Sequence, residues 1–423
     1  MFFNQNTCRD STVSPTQVSG GKVEGNSRSP TRLVPPHRFD LRRRKTGLLF
    51  RRSGYTSLVI CHRTLKRGFH CLLLALIHWG VATTSGQAAA TYQIFVSNEK
   101  SGELTIINGD DLKVVATFPI GKRPRGVRGS PDGKTVFVAL SGTPIEPPPQ
   151  LDANGNPIFK RGKDDDDDDA KAKADKAADG IGVVDVATRK LLRKISVGSD
   201  PEQVALSADG RKLFASNEDV GTVSVLDIAS GKVEHIISVG REPEGVETAP
   251  NGKFFYVTCE TEGEVYAIDT QTFKVLAHFN VGGRPRSAGF SPDSARAFIP
   301  SESTGQIHMI DAVSHKEIKA IALPKGARPM CVKVALDGKK VYASTGRGGT
   351  VCVLDASTGD LLNTIAVGKR PWGIALSPDG KILFAANGPS DDVSVVDLAT
   401  EKEIARVKSP GSPWGIVVVP TAK

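Results

Sequence analysis

The chain has 423 residues and a formal net charge of +9. That charge is unevenly held. Residues 1–90 carry 14 Lys/Arg against three acids, whereas residues 91–423 carry 41 basic and 43 acidic side chains and net to −2. Basicity therefore lies outside the body of the protein, which excludes a nucleic-acid-binding reading based on net charge.

Residues 1–64 are polar, Arg-rich and unpatterned, as expected of an unstructured arm or of sequence ahead of a mis-assigned start near Leu65. Lys66-Arg67 is followed by an apolar run from Cys71 to Ala82 and by Ala88-Ala89-Ala90. A basic start, a short apolar stretch and a small-residue cleavage site predict a secretory signal at about 65–90 and a periplasmic location. The run is too short for a permanent membrane span.

From residue 91 the chain repeats itself. A Gly-x-x-Pro step stands at Gly121-Lys122-Arg123-Pro124 and recurs with Pro201, Pro243, Pro285, Pro329 and Pro371; Gly411-Ser412-Pro413 is a looser last copy. The proline spacings are 77, 42, 42, 44, 42 and 42 residues. A fixed period of this size means one supersecondary unit copied around an array, with a single insertion in the first interval. Each unit holds four short runs rich in Val, Ile, Tyr and Phe, separated by turn residues, which predicts four strands. Ser130-Pro131-Asp132-Gly133 and Ser377-Pro378-Asp379-Gly380 suit type I turns. Asp185, Asp227, Asp269, Asp311, Asp355 and Asp397 are each followed three residues later by Ser or Thr. Such pairs hydrogen-bond the turn backbone, a structural duty rather than a catalytic one.

Four strands in ~40–45 residues, repeated, predict a β-propeller. The last unit stops after one strand, Trp414 to Val419, and its three missing strands lie at the other end, starting at Tyr92, Glu103 and Val114. Sharing that blade between the termini closes the ring and removes a free sheet edge. The expectation is an all-β, seven-bladed propeller of four-stranded blades over residues 91–423.

Residues 141–180 form the insertion, with Pro147-Pro148-Pro149 and six aspartates at 164–169. A run of like charges repels itself, so a disordered acidic loop is expected. In a propeller this loop opens on the same face as the inter-blade steps. Those steps carry Arg123, Arg125, Arg241, Arg284, Arg286, Arg328 and Arg370, with Trp372 and Trp414 following the proline in two neighbouring blades. Glu99, Glu218, Glu260 and Glu302 recur just after the second strand. One channel mouth is thus expected to combine a cationic rim, carboxylates and two aromatics. It serves either as solvated loop charge or as a docking surface for a protein partner or a small anionic ligand.

Cys259, Cys331 and Cys352 are expected to be small core residues, and His235, His278, His308 and His315 to lie on outer strands or hairpins. Neither Gly-x-Ser-x-Gly, His-Glu-x-x-His nor a phosphate-binding loop is present. No catalytic residue, metal ligand or cofactor is expected, and without Cys-x-x-Cys-His no covalently attached haem is expected either.

Tyr256-Val257-Thr258-Cys259, the Ser-Pro-Asp-Gly turns and the run from Val367 to Gly373 resemble the YVTN-type β-propeller repeat family across residues 91–420. The run from Gly121 to Gly126, the long first-blade insert and the signal make the chain most similar to periplasmic propellers associated with pyrroloquinoline-quinone-dependent alcohol catabolism. That resemblance implies a non-enzymatic binding or scaffold role beside a quinoprotein dehydrogenase or its cytochrome c. Fold alone does not fix function. Two alternatives are a lactonase-type enzyme with a metal held by the repeated Glu set and a quinone-binding, dehydrogenase-like propeller. Asp355-Ala-Ser-Thr-Gly359 resembles the turn of quinoprotein repeats, but the Trp that follows there is absent from every blade.

Overall fold

The computed structural model describes residues 91–145 and 174–421. The expected leader, residues 1–64 and the six aspartates lie outside the described residues. The described part forms seven sheets of four antiparallel strands each, a seven-bladed β-propeller. The first strands of blades 1, 2, 3 and 6 begin at Pro124, Pro201, Pro243 and Pro371, and those of blades 4 and 5 at Gly289 and Val332, a few residues after Pro285 and Pro329. Blade 7 joins Pro413–Pro420 to Tyr92–Asn98, Glu103–Asn108 and Val114–Pro119, as the repeat spacing predicts. Within it Tyr92 pairs with Pro420 and Phe95 with Val417. The first strands of neighbouring blades lie against one another around the axis.

The core sits between blades. One aromatic occupies the same place in every second strand: Phe95, Phe137, Phe214, Tyr256, Phe298, Tyr342 and Phe384, none more than 3% exposed. Each packs into the next blade. Phe95 meets Val127 and Val138 of blade 1, Phe214 meets Val246 and Val257 of blade 3, and Phe384 meets Ile94 and Val96 of blade 7. Burying one such ring contributes about 1.5–3 kcal/mol. Since the residues on either side of it in the strand face the preceding blade, alternation glues each sheet on both faces.

The Asp-bearing hairpins behave as their chemistry dictates. Asp185 Oδ1 accepts from the Thr188 backbone N–H at 2.7 Å and its hydroxyl at 2.6 Å. Asp227–Ser230, Asp269–Thr272, Asp311–Ser314 and Asp397–Thr400 repeat this. Asp355 differs in detail, accepting its hydroxyl bond from Ser357 at 2.6 Å and the Thr358 N–H at 2.8 Å.

The two ends of the insertion are part of the blade rather than of a loose loop. Gly142 N–H donates to Asp179 at 2.7 Å, Asp175 N–H donates to the Gly142 carbonyl at 3.0 Å, and Lys122 pairs with Asp175 at 2.7 Å. Gly180 already opens the third strand.

Ring closure by the C-terminal strand yields a direct test. Deleting Trp414–Lys423 strips Tyr92–Asn98 of its inner partner and exposes the aromatic Phe95 layer. The truncated chain should be insoluble or lack a cooperative melt, as read by soluble yield and thermal circular dichroism; an unchanged midpoint would contradict closure by this strand.

Candidate functional site

The channel mouth is built by a local backbone device repeated around the ring. The residue before the blade proline is held in the left-handed region: Arg123 (φ 42°), Asp200 (51°), Glu242 (52°), Arg284 (60°), Arg370 (52°) and Ser412 (65°). Such conformers cost of order 1–3 kcal/mol each, and they persist only where the surroundings hold them. After the proline the inner strand bulges, with its pairing slipping between Pro124 and Val127, Pro201 and Val204, and Pro371 and Ile374. The bulge turns the next residues toward the axis. Their inner strands then converge so closely that a Cβ on Gly415 would meet the Arg125 carbonyl oxygen at 2.3 Å.

A buried serine fixes this turn from one blade to the next. Ser97 Oγ accepts from Gly415 N–H at 2.9 Å and donates to the Arg125 carbonyl at 2.5 Å. Ser216 joins Gln203 N–H (3.1 Å) to the Glu244 carbonyl (2.9 Å). Ser344 joins Cys331 N–H (3.1 Å) to the Trp372 carbonyl (2.6 Å). All three serines are fully buried. Each staples the start of its own blade's inner strand to the residue that follows the proline in the next.

Those post-proline residues form the inner ring: Arg125, Glu202, Glu244, Arg286, Met330, Trp372 and Trp414. The ring is divided. On one side two arginines are each caged by three carboxylates. Arg125 pairs with Glu99 at 3.0 Å, with Glu202, and with Glu218 at 3.8 Å. Arg286 pairs with Glu244 at 2.9 Å, with Glu260, and with Glu302 at 2.5 Å. Arg123 adds contacts to Glu99 at 3.3 Å and Asp200 at 3.4 Å, and Arg284 contacts Glu260 and, at 3.5 Å, Glu302. On the other side Trp372 and Trp414 stack with centroids 5.5 Å apart and planes 27° apart. The Arg370 guanidinium lies 4.7 Å from the Trp372 ring centre, and that of Arg125 lies 5.4 Å from Trp414. Below the mouth a cavity of about 220 Å³ runs down the channel. Arg128 and Lys333 flank Glu247 there at 2.6 and 3.5 Å.

Burial at the acidic side sets the protonation. Glu99 and Glu302 stay below the ordinary carboxylate range, because their arginine neighbours outweigh the desolvation that works against ionisation. Burial, with Glu244 alongside, pushes Glu218 up to about 8. Burial likewise pushes Glu260 up to about 8, with Arg286 opposing and Glu244 reinforcing the rise. Asp200, Glu202 and Glu218 bring one oxygen each within 4.8 Å of one another, a spacing able to hold a metal ion. Arg125 already reaches Glu202 and Glu218, and Arg123 reaches Asp200, so guanidinium charge fills that cluster.

The structure therefore gathers Arg123, Arg125, Arg284, Arg286, Arg370, Trp372, Trp414, Glu99, Glu218, Glu260 and Glu302 at one mouth, with Arg328 at its edge donating to the Ser303 carbonyl at 3.0 Å. Arg241 is not among them. It stands two residues before its proline rather than one, points outward, and pairs with Glu262 at 2.5 Å with its side chain 74% exposed. The mouth combines arginines, carboxylates and two aromatics, and its arginines lie inside a lattice of carboxylates that match or exceed them in number. Sequence reasoning passed over Asp200, Glu202, Glu244 and Met330; the signal was the column of residues flanking each proline, read down all seven repeats. Cys259 and Cys352 are core residues, but Cys331 is half-buried and lines the cavity. His235 and His278 lie on outermost strands, while His308 is on a third strand, 3.1 Å from Glu317.

The Glu260 environment predicts a pH signature. A carboxyl raised from 4.5 to about 8 keeps its proton in the folded chain and loses it in the unfolded one. Its contribution to stability is present at low pH and is lost as pH rises through about 8. Glu260→Gln cannot titrate, so its melting temperature minus that of the native chain should climb by several degrees between pH 5 and pH 9. A difference that does not change with pH, followed by calorimetry, would refute the assignment.

Comparison with known proteins places the chain by fold and family. Hydrazine synthase of Kuenenia stuttgartiensis superposes with TM-score 0.57 at 19% identity, covering 75% of this chain and 99% of that one. A provisionally assigned 6-phosphogluconolactonase of Bacteroides uniformis gives 0.60 at 18%, covering 78% and 100%. Dihydro-heme d1 dehydrogenase NirN gives 0.52 at 18%, covering 76% and 64%. These likenesses speak to the fold alone. No curated protein sequence matches significantly. A choice-of-anchor I domain matches residues 79–243. The PQQ_2 family, described as outer membrane protein assembly factor BamB, matches residues 177–406, more than half of the chain. Repeats, blades and family match agree: the chain belongs to the PQQ_2 family of β-propeller repeat proteins.

Proposed function

We propose that this protein is a non-enzymatic, exported binding propeller whose channel mouth docks a partner, accessory to a quinoprotein alcohol-oxidation system. The observation that carries the reading is the pair of arginine cages. Arg125 and Arg286 are each held by three carboxylates. A guanidinium so enclosed is pre-organised as a recognition surface; it has no freedom to move with a reacting group. The serine staples and left-handed pre-proline residues support the same conclusion, since they spend backbone strain on placing side chains at one rim. Beside the cages, Trp372 and Trp414 supply the aromatic anchors typical of interface hot spots. The periplasmic location and the partner, a quinoprotein dehydrogenase or a cytochrome c, rest on the leader-like segment and on the sequence resemblance.

One observation favours a second reading. Glu218 and Glu260 at about 8 would be poised as acid–base groups near neutral pH, as a lactonase-type enzyme needs. The two are separable. The full chain, immobilised, is presented with a quinoprotein alcohol dehydrogenase and a c-type cytochrome from the same periplasm, while δ-valerolactone hydrolysis is followed in parallel. Binding of either protein, weakened about tenfold or more by Trp372→Ala, is the expected outcome. No binding to either, or lactone turnover abolished by Glu260→Gln, would overturn the binding role.

A further inference from the structure

The cavity below the mouth has two unlike walls. Blades 6 and 7 give it only hydrophobic side chains and glycine, among them Ile374, Leu376, Ile416 and Val418. Its charged side chains come from blades 1, 3, 4 and 5, and they stand at two levels. At the upper level Arg286 is already enclosed by Glu244, Glu260 and Glu302, so no positive charge is spare there. The lower level lies three residues further along the inner strands: Arg128 after Arg125, Glu247 after Glu244 and Lys333 after Met330.

Charge at the lower level does not balance. Arg128 Nη2 lies 2.6 Å from Glu247 Oε2, and Lys333 Nζ reaches the same oxygen at 3.5 Å. Two cations share one carboxylate, which leaves one positive charge over. The Lys333 ammonium has three N–H donors, and among the described residues that long contact is all it makes. Arg128 and Glu247 also border a second hollow beside the Pro131 and Pro250 turns, so their bridge forms the floor of the cavity. A surplus charge in a confined space with an apolar wall is costly unless an opposite charge pairs with it. The space is about 220 Å³. A dry cavity of ~150 Å³ takes benzene, so about six carbons and a carboxylate fit here.

We infer that the channel cavity binds a small monocarboxylate with an apolar body. Its carboxylate meets Lys333 and Arg128 at the floor, and its hydrocarbon lies along Ile374, Ile416 and Val418 toward Met330. The single surplus charge selects a monoanion, and the enclosed arginine above offers no seat for a second carboxylate. This site lies below the rim proposed for docking, and its test needs no protein partner.

Isothermal titration of the full chain with hexanoate at neutral pH tests it, with hexanol, hexylamine, adipate and acetate as comparators. Hexanoate should bind best. The alcohol and the amine leave the surplus charge unpaired, and they and adipate should bind about tenfold more weakly or worse. Acetate should bind about a hundredfold more weakly for its missing methylenes. Lys333→Met removes the surplus charge and should weaken hexanoate about tenfold, whereas Glu247→Gln leaves two charges unpaired and should tighten it by a similar factor. Melting temperatures confirm that both variants fold, and the comparators on the native chain decide the matter if they do not. No binding of hexanoate, equal binding of the alcohol or amine, or one affinity shared by the native chain and both variants would overturn the assignment. A chain that binds hexanoate but no protein partner keeps this site and loses the docking role; the reverse outcome removes this site alone.

Discussion

The interaction on which this molecule most depends is the buried serine bridge between one blade's inner strand and the next blade's post-proline carbonyl. The aromatic layers supply bulk cohesion, but they are tolerant of small rotations between sheets. A hydroxyl that both accepts an N–H and donates to a carbonyl two to three ångströms away is not. Ser97, Ser216 and Ser344 thereby convert loose stacking of blades into a fixed azimuth for Arg125, Glu244 and Trp372. Where the serine position holds Thr258, only the bond within its own blade is made, at 2.9 Å. Where it holds Ala139, Pro300 or Ala386 there is no hydroxyl to share. The rim is thus stiffened at chosen joints, not uniformly.

Against that frame the charge distribution becomes intelligible. Buried ion pairs gain little net stability, since desolvation consumes most of the Coulombic attraction. Their use here is positional. Three carboxylates around one guanidinium over-determine where it sits, and the surplus negative charge is absorbed by holding Glu218 and Glu260 protonated. On the opposite side of the mouth, the Trp372 face takes the place of carboxylates as the partner of Arg370, while Arg125 reaches Trp414 as well as its carboxylates. A single annulus of seven positions has diverged into two chemistries without disturbing the repeat that carries it.

Much of this was legible in the chain before any coordinates. The proline spacing set the blade count, and the lone last strand after Pro413, with three unassigned strands from Tyr92 onward, located the shared blade. The Asp–Ser/Thr hairpins could be assigned to turns because their bonds are local. What stayed hidden was tertiary. Glu202 and Glu244 are each one residue in a strand, and nothing in their own neighbourhood says that Arg125 and Arg286 lie across a blade boundary. Arg241 misled for a related reason: it stands one residue earlier in the inter-blade step than Arg123, Arg284 or Arg370, and there it pairs outward with Glu262. Cys331 belonged by composition to the core, yet it sits just before the inner strand Val332–Val334 and lines the channel cavity.

The shared blade has a consequence for how the chain is assembled in time. Tyr92–Asn98 is synthesised before every other described strand, and its inner partner, Pro413–Pro420, after all of them. Between these events the early strands of blade 7 hold an open hydrogen-bonding edge and the ring cannot close. Pairings of such long sequence separation are slow to form, and unpaired edges are prone to wrong associations. A polypeptide emerging from its amino terminus therefore cannot complete this blade until its last strand arrives, and the topology defers burial of that edge to the end of synthesis.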